Sequence, residues 1–266
     1  ILDTGDLKCW GRDSSSQLGD GGSNTNTNAP STNAIDLGTG RTAVAVSGGA
    51  GHTCAILDNG SVSCWGYGNY GALGNGATSD KSTPTLTSSL GTGRTAVAIS
   101  SGFFHTCAIL DNGSVSCWGD GGYGQLGNGG TTDKTTPTLT SSLGTGRTAV
   151  AISSGDYHTC AILDNGAVSC WGEGSNGRLG NGGTSDKTTP TLTSSLGTGR
   201  TAVALASGGW HTCAILDNGD VSCWGSGAQG QLGNGGTSSI NTPTLTSSLG
   251  TGRTAVALSS GYLHTC

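Results

Sequence analysis

The chain has 266 residues, of which 51 are glycine, 33% are hydrophobic and 10% are charged, and its formal net charge is −5. It has no basic run, and this excludes a nucleic-acid interface that depends on phosphate contacts. No apolar run approaches the length of a membrane-spanning helix. We therefore expect neither nucleic acid nor a membrane span.

One hairpin motif, typified by residues 105–119, recurs through the chain. Two short apolar-polar runs flank Asp111-Asn112-Gly113, which is a strong turn signal. The first cysteine of the motif recurs every 53 residues, at Cys54, Cys107, Cys160, Cys213 and Cys266. The chain begins inside one copy, at Ile1 to Cys9, and ends inside a copy, at His264 to Cys266. The sequence is thus five repeats cut within a hairpin.

Each repeat contains four strand-like segments, a pattern typical of a propeller blade or a solenoid unit. The cut favours a propeller, because the two ends together supply the fifth unit and no atypical capping repeat is present. We expect an all-β fold, a β-propeller of five four-stranded blades in one domain, with the ring closed by N- and C-terminal strands that share one blade. The predicted blades are 42–94, 95–147, 148–200, 201–253, and 254–266 plus 1–41.

The ten cysteines are placed by the repeat. A three-residue loop with Gly113 in the left-handed region sets Cys107 directly opposite Cys117. We therefore predict disulfides Cys54–Cys64, Cys107–Cys117, Cys160–Cys170 and Cys213–Cys223, with Cys9–Cys266 closing the ring. Disulfides indicate an oxidising compartment, so the chain is expected to be secreted or at the cell surface. A secreted chain needs a signal peptide and this sequence shows none, so we expect a processed piece of a longer product. The alternative use of the cysteines is a zinc site, although CxxC spacing is absent.

The repeat resembles the regulator of chromosome condensation repeat in its disulfide-bearing bacterial form. The residues that carry this resemblance are 98–102, 105–110, 113–119 and 124–129. All five repeats show the pattern, so the resemblance covers nearly the whole chain. It implies a β-propeller whose first or last blade is closed by both termini. The family typically has seven blades, and the resemblance is specific for fold and weak for function.

Two windows vary between otherwise near-identical repeats: the pair before each repeated His, and the six residues after each Trp-Gly. Eight aromatic residues lie outside the repeated Trp positions, and all eight fall in these windows. A variable, aromatic-rich surface on a fixed frame is typical of a binding face. The predicted ligand-binding residues are Tyr67, Tyr70, Phe103, Phe104, Tyr123, Asp156, Tyr157, Arg178, Trp210 and Tyr262. The alternative is relaxed selection on exposed loops.

Other repeated residues have structural interpretations. We interpret the five repeated His as hydrogen-bonding groups between strands, and the five repeated Trp as packing against a disulfide or the adjacent blade. Weak calcium binding by Asp80, Asp133 and Asp186 is an alternative to a role in their loops, but the spacing does not match an EF-hand. The sequons at Asn59 and Asn112 are interpreted as turn chemistry. No nucleophile–base constellation is present, so we predict no catalytic residue, no metal, no cofactor and no enzyme activity.

The sequence thus predicts a secreted module that binds an extracellular protein or glycan through its variable aromatic-rich face. The alternative is a structural subunit of an extracellular filament or surface layer. In that case the split hairpin is completed between molecules, by self-assembly through the terminal strands.

Overall fold

The computed structural model describes residues 1–22 and 24–266. Within them the fold is all-β, and the strands form four four-stranded antiparallel sheets, each running in chain order. Two compact units are present: one is Ile1–Gly121 with Thr132–Leu139, and the other is Gly122–Thr131 with Thr140–Cys266. No helix in the described part of the chain is long and apolar enough to cross a membrane.

Each unit holds two of the sheets. The sheets of the first unit are β1 (Ala43–Gly48), β2 (His52–Leu57), β3 (Val62–Gly66), β4 (Lys81–Leu86), and β5 (Ala96–Ser101), β6 (His105–Leu110), β7 (Val115–Gly119), β8 (Lys134–Leu139). Those of the second are β9 (Ala149–Ser154), β10 (His158–Leu163), β11 (Val168–Gly172), β12 (Lys187–Leu192), and β13 (Ala202–Ser207), β14 (His211–Leu216), β15 (Val221–Gly225), β16 (Ile240–Leu245).

The central hairpin of each sheet has the predicted register. Cys107 of β6 lies opposite Cys117 of β7, and the N–H of Leu110 donates to the carbonyl of Ser114 at 2.8 Å. The loop therefore has three residues, and its last, Gly113, has a φ of 77°. Four disulfides follow from this register and confirm four of the predicted pairs: Cys54–Cys64, Cys107–Cys117, Cys160–Cys170 and Cys213–Cys223.

Removing one hairpin disulfide, in Cys107→Ala/Cys117→Ala, is expected to lower the free energy of unfolding by about 2–3 kcal/mol, because the cross-link restricts a short loop of the unfolded chain. Denaturant unfolding under non-reducing conditions measures the loss. Cys266 is an exposed free thiol, so Cys266→Ser is the matched control and is expected to leave the unfolding midpoint unchanged. Equal losses in the two proteins contradict the prediction.

Adjacent sheets of the first unit are joined by a chain of buried hydrogen bonds. The Oγ1 of Thr106 and the Nε1 of Trp118 both donate to the carbonyl of Ala72, at 3.2 and 3.0 Å. The same Thr106 Oγ1 lies 2.8 Å from Nε2 of His52. A Cβ at Gly74 would lie 2.8 Å from Nε1 of Trp118, so only glycine admits the indole so closely. The Thr and Trp of one hairpin therefore hold the loop that follows the preceding hairpin, through two hydrogen bonds to one loop carbonyl.

The second unit repeats this arrangement. Thr212 Oγ1 and Trp224 Nε1 donate to the carbonyl of Arg178 at 3.1 and 3.0 Å, and His158 Nε2 lies 2.9 Å from Thr212 Oγ1. Trp224 packs in one apolar cluster with both cysteines of the preceding hairpin, Cys160 and Cys170. The structural interpretation of the repeated His and Trp is thus confirmed for these hairpins.

The terminal segments differ from the prediction. Residues 1–41 and 254–266, as far as they are described, contribute isolated bridges Gly11–Thr27 and Ser260–Thr265 rather than a fifth four-stranded sheet. Cys9 and Cys266 are both free thiols, so the predicted Cys9–Cys266 disulfide is not formed. Each end carries one half of a hairpin, and each half pairs locally: Cys266, for example, exchanges backbone hydrogen bonds with Ser259. Trp10 accordingly stays 59% exposed, in contrast to the packing expected for it.

Candidate functional site

The two variable windows of a repeat lie together at one end of its hairpin. In four of the repeats, the N–H that follows Trp-Gly donates to the carbonyl just before the repeated His. In the first unit these bonds join Tyr67 to Gly51 at 2.8 Å and Asp120 to Phe104 at 3.0 Å. In the second unit the corresponding pairs are Glu173 with Tyr157 and Ser226 with Trp210, both at 2.8 Å. The rigid hairpin therefore presents both windows of one repeat as a single surface.

Four predicted aromatic residues of the first unit form one cluster around Phe104, which we call the Phe104 cluster. The ring centroid of Phe104 lies 5.1 Å from Tyr67, 5.4 Å from Tyr70 and 4.5 Å from Phe103. These separations are in the range of favourable aromatic pairs. Tyr70 is exposed, whereas the other three rings are partly covered. The cluster combines a fixed apolar base with an accessible aromatic edge.

Tyr70 is held in an uncommon backbone conformation. It lies in the 3-10 turn Asn69–Gly71 with φ 61° and ψ −1°, in the left-handed region. For a bulky residue this conformation costs on the order of 1–3 kcal/mol, and such outliers concentrate at functional sites. The turn thus holds an aromatic side chain where glycine or asparagine is more favourable. This observation supports a functional role for the Tyr70 ring.

The second unit carries two aromatic pairs. The rings of Tyr123 and Tyr157 lie 5.2 Å apart, and those of Trp210 and Tyr262 lie 5.6 Å apart. Tyr123, Trp210 and Tyr262 are exposed, and Tyr157 is partly covered. Each pair joins residues that are adjacent in structure but at least 34 positions apart in sequence. The structure therefore groups all eight predicted aromatic residues into contacting sets within their own units.

The two predicted polar residues occupy different environments. Asp156 is partly buried, and burial raises the pKa of its carboxyl against the opposing effect of Arg178. Arg178 is only 2% exposed, and its guanidinium bonds Glu173 at 2.7 Å and the carbonyl of Ser175 at 3.1 Å. The prediction that Arg178 faces a ligand is therefore not supported, because its side chain is buried and bonds other residues of the same window. Asp156 remains accessible in part.

The carboxylates considered for calcium have structural partners. Asp80, Asp133 and Asp186 each accept a backbone N–H across their loop, from Gly68, Gly121 and Gly174 at 2.8 to 3.0 Å. Asn59 and Asn112 likewise accept the N–H two residues on, which is turn chemistry. In the residues that the structure describes, no group of three or more His, Cys, Asp or Glu is placed to hold a metal ion.

The four-stranded sheet is repeated along the chain, together with a loop that the next hairpin holds by hydrogen bonds and with variable windows at one end of the hairpin. This combination defines a repeat protein of the β-propeller class. The RCC1-like domain model matches residues 1–266, and the chain belongs to this family. It is 32% identical over 262 residues to the human E3 ubiquitin-protein ligase HERC2, covering 98% of this chain and 5% of HERC2. It is 31% identical over 245 residues to the ultraviolet-B receptor UVR8 of Arabidopsis thaliana, covering 92% of this chain and 54% of UVR8.

A solved structure shows the same fold. Prp20p from Saccharomyces cerevisiae matches with a TM-score of 0.83 at 19% identity, over 98% of this chain and 64% of that one. At this identity the likeness shows the RCC1 type of β-propeller fold and nothing more. The chain spans about half of UVR8 and a small part of HERC2, so the activities of those whole proteins are not carried over to it.

Proposed function

We propose that the chain is a secreted, non-catalytic binding module of five RCC1-like repeats that recognises an extracellular protein or glycan through its aromatic clusters. The observation that carries this proposal is the Phe104 cluster, in which three aromatic rings surround a fourth at one end of rigid, disulfide-linked hairpins. Rigid aromatic residues supply contact area at low cost in conformational entropy, which is why they dominate binding hot spots.

Two further findings support the proposal. The four disulfides are compatible with an oxidising compartment, which is where the expected partners are found. The family member Prp20p was solved together with a study of its binding to Gsp1p and histones, so protein recognition occurs on this fold. We expect a protein partner first, and glycan recognition is the other outcome that the experiment separates.

The test is a screen of the purified chain against a glycan array and a library of displayed extracellular protein domains. A retained ligand is expected to lose roughly thirtyfold or more in affinity in Tyr67→Ser/Tyr70→Ser/Phe103→Ser, because truncating hot-spot aromatics costs about 2 kcal/mol or more. Phe104 is left in place so that the base of the cluster stays packed. Affinities of the variant and the wild type are compared by titration calorimetry.

The matched control is Val97→Ser, an exposed apolar residue on an edge strand of a sheet in the same unit and outside both windows. It is expected to bind like the wild type, and both variants should keep the wild-type melting temperature within a few degrees. Ligands whose affinity is the same in all three proteins contradict the proposal and leave the variable windows as drifting loops.

A second candidate function is favoured by the terminal segments: a structural subunit of an extracellular filament or surface layer. Each half of the split hairpin pairs only through one local bridge, Gly11–Thr27 or Ser260–Thr265, and Cys9 and Cys266 are free thiols. Unpaired strand edges are templates for pairing with another chain. A mass that grows with protein concentration supports this function, and a constant mass of one chain contradicts it.

A further inference from the structure

One carboxylate of the second unit has no hydrogen-bond partner. Asp156 lies in the bend between β9 and β10 and is partly buried. Within the described part of the chain its side chain accepts no hydrogen bond and joins no salt bridge. Burial raises the pKa of its carboxyl; Arg178 opposes this shift and Glu173 adds to it. Because polar groups taken out of water are nearly always paired in native proteins, this carboxylate is suited to pair with a ligand.

The repeat does not require an aspartate at this position. The corresponding residues of the other repeats carry no charge at neutral pH; they are Ala50, Phe103, Gly209 and Tyr262. The hairpins that follow Ala50, Phe103 and Gly209 have the same register as the hairpin that follows Asp156. The charge of Asp156 is therefore not needed to form the hairpin.

The cation nearest to Asp156 is engaged by other groups. Arg178 donates through Nη1 to Glu173 at 2.7 Å, and through Nη2 and Nε to the Oγ and the carbonyl of Ser175 at 2.9 and 3.1 Å. Its Nη1 also donates to the carbonyl of Gly209 at 3.4 Å. None of these four hydrogen bonds goes to Asp156, so the guanidinium is used within its own window.

The surroundings of Asp156 carry an excess of negative charge. Burial lowers the pKa of the Arg178 guanidinium, whereas the charges of Glu173, Asp156 and Asp186 raise it. Three carboxylates thus act on one cation. Lys187 follows Asp186 in the chain but contributes nothing to the pKa of Asp156. A cationic ligand at Asp156 therefore compensates charge that the chain itself leaves unbalanced.

Two aromatic rings belong to the same segment. Tyr157 follows Asp156 directly, and its ring centroid lies 5.2 Å from that of Tyr123, with an angle of 56° between the ring planes. Tyr123 is exposed, and the carbonyl of Tyr157 accepts the N–H of Glu173 at 2.8 Å. Aromatic faces attract cations, and the planar guanidinium of arginine also stacks on them. The segment therefore combines the two kinds of group that bind a guanidinium.

We propose that Asp156, Tyr157 and Tyr123 form a docking site for an arginine side chain of a protein partner. The guanidinium supplies the compensating charge, donates two parallel N–H groups to the carboxylate and stacks on a tyrosine ring. A neutral sugar offers hydrogen bonds to Asp156 but leaves its charge unbalanced. The inference rests on the proposed function and names the chemistry of its partner. It uses residues of the second unit only, and none of the Phe104 cluster.

The test is a titration of the isotope-labelled chain with the tripeptide acetyl-Gly-Arg-Gly-amide, followed by NMR. The backbone N–H signals of Tyr157 and Glu173 are expected to shift saturably, with a dissociation constant of about 1–10 mM for so small a probe. The same peptide with citrulline in place of arginine has nearly the same shape and no charge. It is expected to bind about tenfold more weakly or less, since a charge-assisted hydrogen bond becomes a neutral one.

Three variants locate the binding. Asp156→Asn is expected to weaken the arginine peptide about tenfold or more, and Tyr123→Leu about threefold, because it keeps the apolar contact and loses the aromatic face. The matched control is Asp220→Asn, which changes the net charge equally at an exposed position in the turn between β14 and β15. It is expected to bind like the wild type. The same spectra show that each variant is folded, and the comparison with citrulline needs no variant.

Binding that depends on both the arginine charge and Asp156 supports the site. Equal binding of the citrulline peptide, or equal weakening by Asp156→Asn and Asp220→Asn, overturns it. An arginine peptide that shifts no signal at about 30 mM also overturns it. If the neutral oligosaccharide cellohexaose shifts these signals instead, glycan recognition stands and the arginine site is wrong. The ligand screen with Tyr67→Ser/Tyr70→Ser/Phe103→Ser changes other residues, so it decides the proposed function separately.

Discussion

Trp118→Ala is expected to lower the free energy of unfolding by about 3–5 kcal/mol, the range for truncating a fully buried large aromatic side chain. The indole of Trp118 packs in one apolar cluster with Cys54, Cys64 and Leu73, residues of the preceding repeat. Its loss opens a cavity between adjacent sheets and removes the hydrogen bond that Nε1 donates to Ala72. Because each blade-like sheet buries little apolar surface by itself, contacts of this kind join one repeat to the next.

The matched control for Trp118→Ala is Trp10→Ala, since both residues follow the second cysteine of their repeat. Trp10 is 59% exposed, so at a dilution where the chain is monomeric its truncation is expected to change stability by about 0.5 kcal/mol or less. Urea unfolding of both variants measures the difference through the midpoint, with the slope checked for two-state behaviour. Similar losses at the two positions contradict the environments described here.

The features that sequence alone predicts are those fixed by local spacing. Asp111-Asn112-Gly113 dictates a three-residue loop, the loop dictates the register, and the register sets Cys107 opposite Cys117. These steps involve residues at most ten positions apart, so no knowledge of tertiary structure is needed. The grouping of the two variable windows follows in the same way, because both flank the same end of one hairpin.

Trp10 shows where sequence reasoning fails. Its neighbours Cys9 and Gly11 reproduce the repeat, and so the repeat predicts a buried indole and a paired cysteine. Burial of a tryptophan here depends on the loop of the preceding repeat that accepts its indole N–H. For Trp118 this acceptor is the carbonyl of Ala72, 46 residues earlier in the chain. Trp10 itself is 59% exposed, so in the described part of the chain it does not occupy a comparable buried site. A repeated sequence therefore predicts the local conformation of a residue, whereas the burial of its side chain depends on which other part of the chain packs against it.

Arg178 is a second residue whose environment differs from the prediction, although the sequence contains a signal for its burial. It lies in a variable window and is charged, which favours an exposed residue. Its side chain is buried because Glu173, the only glutamate in the chain, stands five positions earlier and accepts a hydrogen bond from its Nη1 at 2.7 Å. Reading the window as a pair of opposite charges, rather than as independent positions, predicts an internal ion pair. The backbone carbonyl of Arg178, rather than its charged side chain, makes the repeated contact by accepting the indole N–H of Trp224.

Acidification from pH 6.5 to about 4 is expected to destabilise the chain through its buried histidines. Burial lowers the pKa of His52 from 6.5 to about 4 and that of His105 to about 3, the latter with a smaller contribution from His52. In this window the unfolded chain binds protons that the folded chain does not, so the free energy of unfolding falls as pH falls. Each such histidine contributes a slope of about 1.4 kcal/mol per pH unit. For His52 the accumulated loss is about 3 kcal/mol, and it levels off below its folded-state pKa.

The geometry explains why the neutral imidazole is required. Thr106 Oγ1 has one hydrogen, which it donates to Ala72, so it accepts from Nε2 of His52 and fixes that tautomer. A second proton on the ring places an uncompensated charge in a buried site. His52→Gln retains an N–H donor and cannot be protonated, so its unfolding free energy should depend less steeply on pH between 4 and 6.5, by about 1.4 kcal/mol per unit. If His52→Gln leaves the pH dependence of the unfolding free energy unchanged, the acid sensitivity belongs to carboxylates rather than to the buried His52–Thr106 hydrogen bond.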